Sequence, residues 1–287
     1  MEQPIRSFMS LLRQQILKGN TYEECKAMIL DEIASKTRER IDREKKLLPI
    51  NEIRNQAESI AKSNKSNFPF YKVLKKDGIS FICEIKKASP SKGIIAEDFP
   101  YIQIAEEYEQ AGASAISCLT EPFYFQGSDK YLKDITDRVE IPVLRKDFTV
   151  DSYMIYQAKV LGASAVLLIC SILDKNELKE YQDIAHELGL SALVEAHDES
   201  EIYMALDAGA RIIGVNNRDL KTFTVDINNS ARLRNLVPRD IAFVSESGIK
   251  TKSEIETLVA NGTDAVLIGE TLMRNPDKKK ALDALRP

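Results

Sequence analysis

The chain has 287 residues, 44% of them hydrophobic and 29% charged, with a formal net charge of −4. That length suits one barrel-sized domain with an appendage or two smaller domains, and the slight acidity gives no basic footprint for nucleic acid. The apolar run Ala165–Cys170 is far short of the roughly 20 residues a membrane helix needs. Arg6, Arg13, Gln14 and Gln15 interrupt the first residues, so no signal-peptide core and a cytoplasmic address are expected.

Four cysteines, Cys25, Cys83, Cys118 and Cys170, are too widely spaced for a metal knuckle or a C-x-x-C redox pair. Three lie in apolar runs, where a free thiol packs as a small hydrophobe.

Residues 1–68 have few glycines and no strand-like run. Ile29, Ile33 and Ile41 recur at helical spacing, which predicts a helical extension. Its segment Thr37–Lys46 is dense in charges of both signs and reads as a solvated helix face, with a partner surface as the alternative. Asn67, Pro69 and the polar run Lys62–Ser66 mark a break, and a main domain over 69–287 is expected to follow.

Eight short apolar runs come next, at 80–86, 114–119, 141–145, 164–169, 190–195, 211–215, 240–245 and 263–268, alternating with amphipathic segments. Nearly continuous hydrophobicity suits parallel strands covered on both faces. Gly112, Gly162, Gly209 and Gly262 recur about fifty residues apart, each just ahead of an even-numbered strand. Each reads as a helix stop entering the left-handed region. Two strand-helix units repeated four times predict an α/β fold, a (β/α)8 TIM barrel with an N-terminal helical extension; an open doubly wound sheet is the alternative.

In such a barrel the C-terminal strand ends meet at one face, and here they are charged. Glu84 and Lys86 end the first strand, Arg145-Lys146-Asp147 the third, Glu195 the fifth and Glu246 the seventh. Residues two apart project from one strand face, and alternate strands feed the same interior layers, so Glu84, Lys86, Lys146, Glu195 and Glu246 are expected to line one cavity. The turns Ser245-Glu246-Ser247-Gly248-Ile249 and Ile268-Gly269-Glu270-Thr271 read as an anion cradle. Lys86, Lys87, Lys92, Lys146 and Arg218 supply local attraction for an anionic substrate. Asn216 and Asn217 offer neutral amides for a hydroxyl. His186 and His197 receive no role, and the lysines among the glutamates argue for acid–base work ahead of a metal site.

The motifs Cys83-Glu84-Ile85-Lys86-Lys87-Ala88-Ser89-Pro90-Ser91-Lys92-Gly93, Leu144-Arg145-Lys146-Asp147-Phe148, Leu193-Val194-Glu195, Gly214-Val215-Asn216-Asn217-Arg218-Asp219-Leu220, Ser245–Ile249 and Ile268–Met273 together resemble indole-3-glycerol phosphate synthase. The resemblance spans about residues 79–276. It implies conversion of 1-(2-carboxyphenylamino)-1-deoxyribulose 5-phosphate to indole-3-glycerol phosphate, with loss of carbon dioxide and water, in tryptophan biosynthesis. No cofactor, metal or obligate protein partner is implied, and the helical extension is expected over the barrel mouth.

By the same resemblance Lys146 is the general acid and Lys86 holds the substrate carboxylate, with the acid of the dehydration step left open between the two lysines. Glu195 partners the departing hydroxyl and Glu84 is the base. Asn216, Arg218, Glu246, Ser89 and Phe148 bind substrate, while Ser247, Gly248, Gly269 and Glu270 bind its phosphate. Two expectations accompany these roles. Lys86 should lower the pKa of Lys146, making it a readier donor, and the Glu270 carboxylate should turn away from the phosphate. With no tryptophan in the chain, an aromatic contact from the extension falls to another residue such as Phe8. A metal-dependent aldolase, a phosphosugar isomerase and a noncatalytic ligand sensor are the competing readings.

Overall fold

The computed structural model of the protein describes residues 22–63, 68–90, 92–218 and 225–287. Phe8, Ser91, Asp219 and Leu220 lie outside the described residues. Three helices precede the barrel: α1 (Tyr22–Leu47), α2 (Ile50–Ser63) and α3 (Pro69–Leu74). Eight parallel strands follow: β1 (Ser80–Ile85), β2 (Ala115–Leu119), β3 (Val143–Lys146), β4 (Ala165–Ile169), β5 (Ser191–Ala196), β6 (Ile212–Asn216), β7 (Ala242–Glu246) and β8 (Ala265–Ile268). They close in sequence order, with β1 hydrogen-bonded to both β2 and β8.

Between the strands run α4 (Tyr101–Gln110), α5 (Asp129–Thr136), α6 (Ser152–Val160), α7 (Lys175–Glu187), α8 (Glu199–Asp207), α9 (Asn228–Arg234) and α10 (Lys252–Ala260); α11 (Glu270–Met273) and α12 (Lys278–Asp283) follow β8. The repeated glycines do end the helices: Gly112, Gly162, Gly209 and Gly262 have φ between +80° and +89°. After α4, the N–H of Ala113 reaches back to the carbonyl of Tyr108 and that of Gly112 to Glu109, a closure that needs the left-handed backbone glycine adopts freely.

The period of two sorts each strand. In β1, Phe81, Cys83 and Ile85 face outward into the core shared with the helices, and Ile82 faces the barrel interior. Ile82, Leu144, Leu193 and Val244 belong to one interior apolar cluster on β1, β3, β5 and β7. Two residues further along the same strands stand Glu84, Lys146, Glu195 and Glu246, so the strand repeat sets a charged layer directly above an apolar floor. Phe70 and Leu74 of α3, both fully buried, join that interior cluster from the other end. The N–H of Tyr71 donates to Ser191 Oγ, and Ser80 Oγ donates to the carbonyl of Val73.

At the mouth, α1 is tied down by side chains. Arg40 Nη2 lies 2.8 Å from Asp147 Oδ2, Lys45 pairs with Asp151, Lys36 Nζ donates to the hydroxyl of Tyr124 at 2.9 Å, and Gln157 Nε2 donates to Glu44. Thr37 and Ile41 are buried beneath them. The charged segment Thr37–Lys46 is therefore part interface, correcting the expectation of a solvated face: Arg40 and Lys45 meet carboxylates on the loop after β3, while Arg38, Arg43 and Lys46 stay exposed.

Candidate active site

A cavity of about 690 Å³ opens at the C-terminal end of the strands, within the range of small-ligand sites. Glu84, Lys86, Ser89, Lys146, Phe148, Glu195, Asn216, Arg218, Glu246, Ser247, Gly248, Gly269 and Glu270 all line it. The fold thus gathers these thirteen expected site residues around one chamber. Lys87 is not among the lining residues, and Asn217 is a buried scaffold. The Asn217 amide donates to Ser245 Oγ and the carbonyl of Ser247, and its Oδ1 accepts from Ser230.

Lys146 sits at the centre of the charges, 3.0 Å from Glu246 Oε2 and 3.5 Å from Glu195 Oε2. Across the chamber Lys86 Nζ donates to Glu84 Oε1. These contacts require two absent side chains. A Cβ on Gly269 would collide with the Glu84 carboxylate, and one on Gly214 with that of Glu246. Gly269 matters as space for an ion pair, beyond the backbone approach to an anion that its motif suggests.

The ionisation states follow from this packing. Burial pulls the Lys146 ammonium down, but the carboxylates of Glu246, Glu195 and Glu84 outweigh it and hold its pKa above the ordinary lysine value. That reverses the expected lowering by Lys86: three converging acids prevail over one neighbouring base. Burial pushes Glu246 up to about 7, helped by the like charges of Glu195 and Glu84 and opposed by Lys146. For Glu84, burial is overcome by Lys86 and Lys146, leaving it below the usual carboxylate range. Glu195 likewise falls, because Lys146, His197 and the Asn216 amide outweigh its burial. Glu246 Oε1 is buried without a hydrogen-bond partner among the described residues.

The walls divide by chemistry. Phe125 and Phe148, ring centroids 6.1 Å apart, form an apolar side with Leu30 and Ile33 of α1. Ser247 and Gly248 both have positive φ, +69° and +83°, in the turn after β7. Lys92, Lys250, Thr271 and Arg274 line the same end. Glu270 lies at this end too. It lines the cavity with its carboxylate 3.0 Å from Arg274 and 3.8 Å from Lys92, so cations from α11 and the β1 loop compensate its charge.

His197 has no role on sequence grounds, yet its Nε2 lies 3.5 Å from Glu195 Oε1 and its Nδ1 3.0 Å from Glu201 Oε2. Among the described residues, no group of three or more His, Cys, Asp or Glu side chains is placed to hold a metal ion. No helix among them is long and apolar enough to cross a membrane.

Paired acids and bases above an apolar floor, beside a cationic rim at the last two strand ends, define an acid–base enzyme of the TIM-barrel class. Two solved structures share the fold at 15% identity: 3-hexulose-6-phosphate synthase from Salmonella typhimurium (TM-score 0.60, covering 72% of this chain and 96% of that one) and thiamine phosphate pyrophosphorylase from Pyrococcus furiosus (TM-score 0.55, covering 75% and 95%). The indole-3-glycerol phosphate synthase family model matches residues 30–285. Proteins of that name from Ruminiclostridium cellulolyticum and Endomicrobium trichonymphae are 59% and 54% identical over 259 residues, covering 90% of this chain and 99% and 100% of theirs. The chain belongs to the indole-3-glycerol phosphate synthase family, and is a decarboxylating lyase acting on a phosphorylated small molecule.

Proposed function

We propose that this cavity closes the indole ring of 1-(2-carboxyphenylamino)-1-deoxyribulose 5-phosphate, with Lys146 as the proton donor. The observation that carries the reading is the Lys146 ammonium held between Glu195 and Glu246 at 3.5 and 3.0 Å. A lysine kept charged this firmly is protonated before substrate arrives and gives up its proton only as negative charge develops beside it.

The substrate's ring lies between Phe125, Phe148 and the α1 side chains, and its phosphate meets Ser247, Gly248, Gly269 and the flanking cations. Glu270 takes part there through its backbone. Ser89, Asn216, Arg218 and Glu246 hold the rest of the sugar. Lys86 draws in the ring carboxylate.

The ring carbon bearing that carboxylate attacks the ketone carbon, and Lys146 protonates the ketone oxygen. Carbon dioxide leaves with its bonding pair returned to the ring. Glu84 then removes a proton from the carbon next to nitrogen while Lys86 protonates the departing hydroxyl, which Glu195 orients. Because Lys86 and Glu84 touch, the proton passes back between them and both return to their starting states.

The described part of the helical extension, residues 22–63, covers the mouth and 69–287 forms the catalytic barrel, in a protein that works in the cytoplasm without an obligate protein partner.

Purified protein given this substrate, without metal or cofactor, should generate indole fluorescence. Lys146→Ala should lower turnover by about 10²–10⁴ with an unchanged circular dichroism spectrum. Near-normal turnover in that variant would remove Lys146 from the mechanism.

A further inference from the structure

The role of Lys146 as proton donor, on which this inference rests, asks for a side chain fixed in place, yet its backbone lies at a strand end. Lys146 is the last residue of β3 and pairs with Leu119 on the β2 side only; the register with β4 stops at Arg145. A displacement of about 1 Å at a reacting group can cost on the order of 100-fold in rate. The terminal lysine therefore needs a tie that the ladder does not supply.

That tie is built from the next residue and from two elements beyond β3. The Asp147 carboxylate is sealed, with 0% of its side chain exposed. Its Oδ1 accepts the N–H of Phe148 at 2.9 Å. Its Oδ2 accepts from Thr120 Oγ1 at 2.6 Å and from Arg40 Nη2 of α1 at 2.8 Å, with Arg145 Nη2 3.5 Å away. Thr120, just past the end of β2, is held at three atoms. Its N–H donates to the Lys146 carbonyl at 3.1 Å, its hydroxyl accepts from Arg145 Nε at 3.2 Å, and its carbonyl accepts from Arg40 Nη1 at 3.5 Å. The residues on both sides of Lys146 are thus tied to one threonine and one helix.

Burial works against the Asp147 charge. Arg40 and Arg145 outweigh it and hold its carboxyl below the usual carboxylate range, so a full negative charge meets the arginine of α1. Such a buried cluster is no efficient way to add stability, since apolar side chains of similar volume often do as well. What it adds is direction: a carboxylate meeting guanidinium donors fixes distances that apolar packing leaves loose.

We propose that Asp147 is a positioning residue for the ring closure, holding Lys146 at its working distance from the ketone oxygen, and that Arg40 and Thr120 complete the hold. Asp147 borders the cavity, but both its carboxylate oxygens are engaged with protein donors, so it acts through Lys146 without touching substrate. Arg40 reaches the same carboxylate from outside the barrel. Helix α1 is in this way part of the acid–base apparatus as well as a cover for it.

Turnover measured well below each variant's melting temperature counts only folded molecules. Asp147→Asn keeps an oxygen for the Phe148 N–H and removes the charge that Arg40 and Arg145 meet. Its kcat should fall on the order of 10–100-fold, with KM changed by less than about threefold because the Phe148 anchor and the phosphate end are kept. Thr120→Val, which deletes only the hydroxyl, should lower kcat in the same direction by less, and stands in if the asparagine variant does not fold. Arg40→Ala should lose kcat in the same way, and Arg40→Lys should recover part of it. The decisive comparison is a double variant. Adding Asp147→Asn to Lys146→Ala should leave the residual turnover within about twofold, since the side chain being positioned is gone. The proposal is overturned if Asp147→Asn and Thr120→Val keep the wild-type kcat, if the loss lies wholly in KM, or if Asp147→Asn lowers turnover by the same factor with and without Lys146. Near-normal turnover in Lys146→Ala would instead sink the donor assignment itself.

Discussion

Glu246 carries a testable cost of its own. Its pKa near 7 in the folded protein stands above the ordinary 4.5, so the folded state holds a proton that the unfolded chain has released. Between about pH 4.5 and 7 the unfolded chain binds fewer protons at this position, and the group's contribution to stability falls as pH rises through that window. Glu246→Gln removes this dependence. Its melting temperature relative to the unaltered protein should climb between pH 5 and pH 8, on the order of a few degrees, while turnover drops; a difference that stays flat with pH would contradict the burial of this carboxylate. Legibility in the sequence is uneven at the same scale. Glu84 and Lys86, two apart at the end of an apolar strand, stand out as a pair. Glu195 and His197 have the same spacing at the end of β5 and do not, because a histidine beyond a strand end resembles any rim residue until Glu201 is seen to bracket it. The ionisation of Lys146 is hidden for a similar reason: the strand period says which groups share a layer, but the balance between burial and three converging carboxylates is a matter of ångströms.

Among the elements, α1 shows how a charged helix becomes an interface. Arg40 meets Asp147, and the same Asp147 Oδ2 accepts from Thr120 Oγ1 at 2.6 Å, while Oδ1 accepts the N–H of Phe148. The contact from the extension therefore ends one residue from Lys146 and on the aromatic wall. Arg40→Ala should cost about 1.5–3 kcal/mol, the range for hydrogen bonds to charged groups, softened where Arg145, 3.5 Å from Asp147, compensates. Urea denaturation gives the loss, and faster proteolytic nicking within α1 should accompany it; unchanged values on both would mean the helix is held by Thr37, Ile41 and their neighbours alone. Strand and helix order is readable because apolar runs, glycine stops and strand period agree along the chain. The attachment of α1 is not, since alternating charges describe a wet surface and a salt-bridged one equally well.

For the molecule as a whole, the two ends of the barrel divide the labour. Phe70 and Leu74 fill the interior opposite the cavity, so Phe70→Ala should lower global stability by about 3–5 kcal/mol. Turnover measured well below the melting temperature should stay near normal. A large loss of turnover at low temperature would show that the floor and the mouth are mechanically coupled. The strand order adds something further. Lys146 belongs to the first four strands, and both carboxylates beside it, Glu195 and Glu246, belong to the last four. Cleaved between β4 and β5, the first half would keep the Lys146 ammonium with Glu84 as its one remaining acid, and the second would keep Glu195 and Glu246 without that ammonium. The attraction between those halves would act as a lock of opposite sign, reassembling the working chamber from two inert fragments.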